Sequence, residues 1–230
     1  MPIIRFPDPR SAGPEGIVAV GGDLHPDSLL LAYRNGIFPW PIDDDPLVWF
    51  SPEIRGILNF SDLHIPRRLS GIRRTISLTF TIDADFEGVI RSCAGVHGEQ
   101  KEEGTWILPE MIHAYCAFHR RGHAHSVEAW HGLRLVGGIY GVDAGGAFSA
   151  ESMFYIEPNA SKLALLHLID HLQSRGLDWM DIQVMTPHME RFGATPMPRD
   201  HFLELLSSTL SRGLELFPQS ISFGEKPLLR

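Results

Sequence analysis

The sequence predicts an α+β protein in which helices cover a largely antiparallel sheet. Three observations carry this. The strand-like runs "RLVGGIYGV" and "AFSAESMFY" are joined by the turn residues "DAGG", which makes a hairpin. The stretch "EPNASKLALLHLIDHLQSRG" carries Leu165, Leu168, Ile169 and Leu172 at i, i+3, i+4, i+7 spacing, the stripe of a packed helix. An apolar strand, Leu177 to Met185, follows that helix, so hairpins and helices are mixed.

The elements follow in order. Pro26 suits a first helical turn, and "DSLLLAYRNG" continues it to a stop at Gly36. The proline-rich "IFPWPIDDDP" reads as an elbow loop. "LVWF" and "GILNF" are short strands, and the pattern breaks between Ser61 and Pro66. That break divides the chain into a small unit, 1–62, and a larger one, 63–230. The larger part opens with the arginine-rich helix "PRRLSGIRR". A strand at "SLTFTID", a helix at "FEGVIRSCA" and a glycine-containing loop ending in "GTWI" come next. "PEMIHAYCAFHRRG" is a helix closed by Gly122. "HSVEAWHG" is a strand, and after the hairpin, long helix and apolar strand the chain closes with a short helix and "RDHFLELLSSTLSRG".

At 230 residues the chain suits one large domain, or one large and one small. No run approaches the roughly 20 apolar residues of a membrane span. The opening "MPIIRFPDPR" places prolines and charges where a signal peptide needs an apolar stretch. Two cysteines, Cys93 and Cys116, do not make a disulfide framework, so the expected compartment is the reducing cytosol. The formal charge of −8 argues against indiscriminate nucleic-acid binding but leaves room for a local patch. Arg67, Arg68, Arg73 and Arg74 form one, with Arg67 and Arg74 sharing a helical face. Such a cluster is ordinarily a solvated face, and the alternative is a grip on phosphates.

Asp181 and Gln183 stand two residues apart in an apolar strand, so both are expected to project into one space. They satisfy each other there or meet a ligand. Glu151 lies in another apolar strand, either on its solvated face or buried, where an unpaired carboxylate would cost several kcal/mol. Strict alternation separates it from Phe148, and a β-bulge between the two would bring them together. Trp49 and Trp106 sit beside turn residues, where an exposed indole can stack on a base for about 1–3 kcal/mol, or fill a seam between units. "EPNASK" offers Asn159 as an N-cap. His119, His123, His125 and His131 cluster in "HRRGHAHSVEAWH", but without H-E-x-x-H spacing or a nearby cysteine pair they read as helix-end and strand-surface histidines, and no metal is expected. No Walker A loop, G-x-S-x-G elbow or strand-to-helix G-x-G-x-x-G is present.

The stretches "GGDLHPDSLLLAYRNGIFPWP", "PLVWFSPEIRGIL", "GTWILPEMIHAYCAFHRRGHAHSVEAW", "LVGGIYGV", "ESMFYIEPNASK" and "DIQVMTPHMERFGA" together resemble the leucyl/phenylalanyl-tRNA–protein transferase family. They run from about Gly21 to about Leu206. The resemblance implies transfer of Leu, Phe or, less readily, Met from the 3′ end of an aminoacyl-tRNA to the N-terminal Arg or Lys of a protein. The new terminus is a degradation signal. It also implies a small N-terminal α/β domain and a larger GNAT-like domain, resembling acyl-CoA N-acyltransferases. The family's catalytic pair falls on Asp181 and Gln183, and its site glutamate on Glu151. Its adenine-stacking tryptophans are placed on Trp49 and Trp106, its side-chain pocket on Ile139, Phe148, Leu168 and Leu172, and its tRNA contacts on Arg67, Arg68, Arg73 and Arg74. No cofactor is expected, because the ester is already activated, and a monomer is expected.

The reaction is aminolysis of an ester by an α-amine whose unperturbed pKa is about 7.7–8.0. An amide is a very poor base, so Gln183 suits orienting the amine through its carbonyl, with Asp181 behind it. Two rivals are weighed. An acyl-CoA-dependent N-acetyltransferase would want an R/Q-x-x-G-x-G/A loop, which "EPNASK" does not supply. A non-catalytic RNA-binding module would leave Asp181, Gln183 and Glu151 without a task.

Overall fold

The computed structural model describes residues 1–40, 46–100 and 107–218. The N-terminal unit holds β1 (Ile17–Val20), α1 (Pro26–Arg34), β2 (Phe38–Trp40) and β3 (Val48–Phe50). Its strands form one antiparallel sheet in the order β1-β3-β2. Pro26 does start a helix, and Gly36 follows it at φ +71. The elbow, expected to be loop, contributes β2. Its proline is tolerated because, among the described residues, β2 lies at the sheet edge with β3 as its one neighbour.

The larger sheet has seven strands among the described residues, in the order β10-β4-β9-β8-β7-β6-β5. In chain order the remaining elements are β4 (Ile54–Asn59), α2 (Arg67–Thr75), β5 (Thr79–Ile82), α3 (Phe86–Gln100), α4 (Pro109–Arg120), β6 (Ala124–His131), β7 (Arg134–Asp143), β8 (Phe148–Tyr155), α5 (Ala160–Ser174), β9 (Trp179–Gln183), α6 (Pro187–Glu190), β10 (Thr195–Pro198) and α7 (Arg199–Ser211). Every pairing is antiparallel except β8 with β9. The architecture is therefore α+β with a mixed sheet. β4, in the stretch expected to belong to the small unit, pairs here with β9 and β10.

The β7–β8 hairpin forms as the sequence predicts. Asp143 Oδ1 accepts from the backbone N–H groups of Gly145 (2.8 Å) and Gly146 (2.7 Å). Those glycines take φ of +97 and +110, which a Cβ would oppose. The long helix starts differently from expectation. Asn159 sits at φ 72 and makes no side-chain cap bond, using the tolerance of Asn for the left-handed region.

Apolar residues gather in two cores. One collects α5, α7 and the facing residues of β4, β7 and β9. The other joins α1, α3 and α4 to the opposite-facing residues of β7. β7 feeds both, with Val136 and Ile139 in the first and Tyr140 and Val142 in the second, and a register shift at Val136 resets the alternation between them.

Candidate active site

β8 carries a bulge, as expected, but it does not bring Phe148 to the cavity beside Glu151. Tyr140 pairs with Ser152 and Gly141 with Ala150, so Glu151 is the extra residue. Its carboxylate Oε1 accepts from Tyr33 Oη at 2.6 Å and from Gln183 Nε2 at 2.7 Å. Tyr33 and Tyr115 are joined hydroxyl to hydroxyl at 2.5 Å. Because Tyr33 gives its proton to the carboxylate, Tyr115 is the donor of that second bond. Burial pushes the Glu151 carboxyl up to about 8. The Tyr33 hydrogen bond works against that rise, the negative charge of Asp181 adds to it, and Arg55 and the Gln183 hydrogen bond oppose it. Burial also raises Tyr33 and Tyr115, so both phenols keep their protons.

Asp181 and Gln183 do not share one open space. Gln183, the last residue of β9, takes φ +60, which ends the strand alternation and sends its side chain toward Glu151. Asp181 lies behind it, 2% exposed. The Arg55 guanidinium grips its carboxylate twice, Nε to Oδ1 at 2.8 Å and Nη2 to Oδ2 at 2.6 Å. Ser149 Oγ donates to Oδ2 at 2.9 Å, and the backbone N–H of Gln183 donates to Oδ1 at 2.8 Å. Asp181 is thus saturated and holds Gln183 by its main chain. Arg55 is itself fixed, 4.7 Å from the Phe38 ring centroid and 4.5 Å from that of Phe202, and donates to Gly36 O at 3.2 Å.

A cavity of about 510 Å³ opens beside this network, within the range of small-molecule sites. Glu151 and Gln183 line it and Asp181 does not. Its apolar wall includes Ile139, Met153, Phe154, Ile182 and Met189. Of the expected side-chain pocket only Ile139 reaches this wall. Phe148, Leu168 and Leu172 are buried in the core beneath α5, at 1%, 2% and 0% exposure.

Trp49 is corrected outright as a stacking surface. It is 0% exposed, packs edge-on to Phe6 at 4.8 Å, and donates from Nε1 to Gly21 O at 2.9 Å. Central in its three-stranded sheet, it fills the core. The tryptophan at the cavity is Trp40, at the end of β2. Trp106 lies outside the described residues. Arg67, Arg68, Arg73 and Arg74 are all exposed on α2. Arg73 pairs with Asp170, and the other three have no carboxylate partner among the described residues.

The histidine stretch meets a residue the sequence does not point to. Asp83, His119 and His125 bring one potential ligand atom each within 4.8 Å of one another. Asp83 Oδ2 lies 2.6 Å from His125 Nδ1, whose Nε2 faces Gly122 O at 3.1 Å, and His119 Nδ1 faces Ala124 O at 2.7 Å. Each ring is held by hydrogen bonds, so these rings act as struts joining the end of β5, α4 and β6. His131 pairs with Glu157 at the surface.

Arg55, Tyr33, Tyr115 and Trp40 belong to the site without having been singled out. Only Arg55 had a local signal, a charge inside the apolar strand "EIRGIL".

The comparisons agree. The family description "Leucyl/phenylalanyl-tRNA protein transferase" matches residues 57–207, and that of its N-terminal domain matches 22–53. A curated relative from Nitratidesulfovibrio vulgaris, named leucyl/phenylalanyl-tRNA–protein transferase, is 49% identical over 87% of this chain and 86% of its own. One from Magnetococcus marinus is 47% identical over 92% and 94%, and one from an Anaeromyxobacter species is 45% identical over 97% and 95%, both under the same name. With Glu151 and Gln183 converging at one cavity, and matches of this extent on either side of that geometry, the chain belongs to the leucyl/phenylalanyl-tRNA–protein transferase family.

Proposed function

We propose that this aminoacyltransferase moves Leu, Phe or Met from the 3′ end of its aminoacyl-tRNA to the N-terminal Arg or Lys of an acceptor protein, acting as a cytosolic monomer and creating a degradation signal. No helix among the described residues is long and apolar enough to cross a membrane. The single observation that carries the chemistry is the Glu151–Gln183 pair at the cavity. Gln183 donates through Nε2 to Glu151, so its carbonyl Oε1 remains as the acceptor for the incoming amine. A carboxyl near 8 is matched to an α-amine near 7.7–8.0, so a proton passes between them with little cost. Ionised Glu151 takes a proton from the ammonium. The freed nitrogen attacks the ester carbonyl, a C–N bond forms, the C–O bond to the ribose breaks, and the excess proton on nitrogen leaves with the ribose oxygen.

Asp181 and Arg55 act through position, since Asp181 fixes the main chain of Gln183 and does not reach the cavity. Trp40 takes the role of an aromatic wall that Trp49, being buried, leaves vacant. The apolar cavity wall suits an aliphatic or aromatic side chain and separates similar ones weakly, by about 1–3 kcal/mol per methylene. Phe148, Leu168 and Leu172 form the packed floor beneath it in this reading. Arg67, Arg68, Arg73 and Arg74 on α2, with Trp106, supply the tRNA side. A GNAT-like larger unit is part of the same reading, supported by a parallel β8–β9 pair within an otherwise antiparallel sheet. No cofactor enters, because the ester carries the free energy of the transfer.

The test is leucine transfer from labelled Leu-tRNA to a peptide beginning with Arg, beside the same peptide acetylated at its N-terminus. Label is expected on the first alone. Absence of label from the first, or equal labelling of both, would overturn the reading.

A further inference from the structure

The start of α5 is left open. Asn159 makes no side-chain cap bond. The N–H of Ala160 donates to Glu157 O at 3.1 Å, and that of Leu163 to Asn159 O at 3.0 Å. The two amides between them, of Ser161 and Lys162, have no acceptor among the described residues, and the helix dipole concentrates positive potential there. A bare helix end is ordinary at a solvated surface. This one is pressed against β7 at Gly137, where a Cβ would stand 2.9 Å from the Ser161 nitrogen.

Side chains at this end point to a ligand independently of the helix. Ser161 is 4% exposed, lines the cavity that Glu151 and Gln183 line, and its Oγ bonds to none of the described residues. His188 lines the same cavity from α6, and its buried Nε2 has no hydrogen-bond partner among them. A buried polar atom without a partner costs free energy that a bound ligand removes. Cations flank the pair. Lys162 follows Ser161 and Arg191 follows α6, and neither makes an ion pair among the described residues. Burial lowers the His188 pKa, and the charges of Lys162 and Arg191 reach the ring and lower it further. None of these residues belongs to the apolar wall given to the transferred side chain.

We infer that the start of α5, with Ser161, Lys162, His188 and Arg191, binds the phosphodiester that joins the last two nucleotides of the aminoacyl-tRNA. This rests on the transferase reading and adds a subsite to it. Uncapped amides at a helix start are suited to an anion, and so are two cations beside them. The anion nearest the reaction is fixed by covalent structure. The ester sits on the terminal ribose, and the phosphate is attached to the 5′ carbon of that same ribose. With the ester carbonyl beside Gln183 and the adenine against Trp40, the phosphate lies one ribose away from the reacting carbon. The other components do not compete for such a site, because the transferred side chain is apolar and the acceptor arrives as an ammonium. A phosphate held here fixes the ribose, and through it the ester, in front of the incoming amine. The arginines of α2 then take tRNA phosphates farther from the terminus.

The test uses two semisynthetic Leu-tRNAs that differ only in the last internucleotide linkage. One carries the phosphodiester and the other a methylphosphonate, which replaces the charged oxygen by a methyl group. kcat/KM for each donor, with a peptide beginning with Arg as acceptor, is measured for the parent, Lys162→Gln, Arg191→Gln and Ser161→Ala. The parent is expected to prefer the phosphodiester by about ten-fold or more, chiefly through KM, and each variant to reduce that preference by about three-fold or more. Taking the ratio of the two donors within one protein cancels any general loss of folding or catalysis. A parent without preference, or variants that keep the full preference, would overturn the subsite. Variants that slow both donors alike belong to the second case and would move these residues to the ester oxyanion instead. Failure of the parent to transfer leucine from unmodified Leu-tRNA would remove the transferase reading itself.

Discussion

Glu151 concentrates the consequences at the scale of single residues. Its carboxyl is raised in the folded protein, so the native state holds this proton more tightly than the unfolded chain does. Stability from this group is present below the ordinary glutamate range and is lost as pH rises toward about 8. Glu151→Gln cannot ionise, so its unfolding free energy is expected to fall less than that of the parent between pH 5 and 8, as read by urea denaturation. Parallel pH dependences would show that Glu151 titrates normally. At the aromatic wall, Trp40→Ala is expected to raise KM for aminoacyl-tRNA about ten-fold or more with stability little changed. Trp49→Ala is expected to lose about 3–5 kcal/mol of stability, as other core aromatics do. A reversed pattern in thermal unfolding and kinetics would return the stacking role to Trp49. Residue types were legible in the sequence here and environments were not. Glu151 and Gln183 stood out as polar groups in apolar strands. Trp40 and Trp49 are both tryptophans in short strands, and only the central place of β3 in its sheet buries one of them.

At the scale of elements, β4, β9 and the loop after α1 are clasped by Arg55. A buried pair that loses one partner leaves an uncompensated charge, so Arg55→Met and Asp181→Leu are each expected to cost about 3–5 kcal/mol. The double variant recovers part of that loss because neither charge remains. Additive losses in chemical denaturation would show that the two do not act as a pair. The double variant does not restore kcat, since Asp181 no longer holds the Gln183 main chain. On α2, replacing Arg67 and Arg74 by Gln is expected to flatten the dependence of log K on log salt for tRNA binding by about one to two units. An unchanged slope would take that helix off the interface. The hairpin, the arginine helix and the long helix were readable because turn chemistry and 3.6-residue periodicity are local signals. β1 and β10 were not, because four-residue strands take their definition from partners distant in the chain. The same reason hid the left-handed turn at Gln183, which rests on an Asp181 held by Arg55, 126 residues away.

Across the whole molecule, two cores meet near the site. The chain Tyr115–Tyr33–Glu151–Gln183 ties helices of one core to the end of β9, and the Arg55 rings come one from each core, Phe38 and Phe202. The site is thus preorganised by both halves of the fold, and its chemistry depends on a proton shared between Glu151 and the acceptor amine. That dependence has a signature in pH. The most direct test is the ratio of kcat/KM for an Arg-terminated acceptor between the parent protein and Glu151→Gln, measured from pH 6.5 to 9.5. Proton acceptance by Glu151 predicts a deficit of about 100-fold near neutrality, where the amine arrives protonated, shrinking several-fold or more above pH 9, where it arrives free. A ratio that stays constant across that range would contradict it and leave Glu151 a structural group.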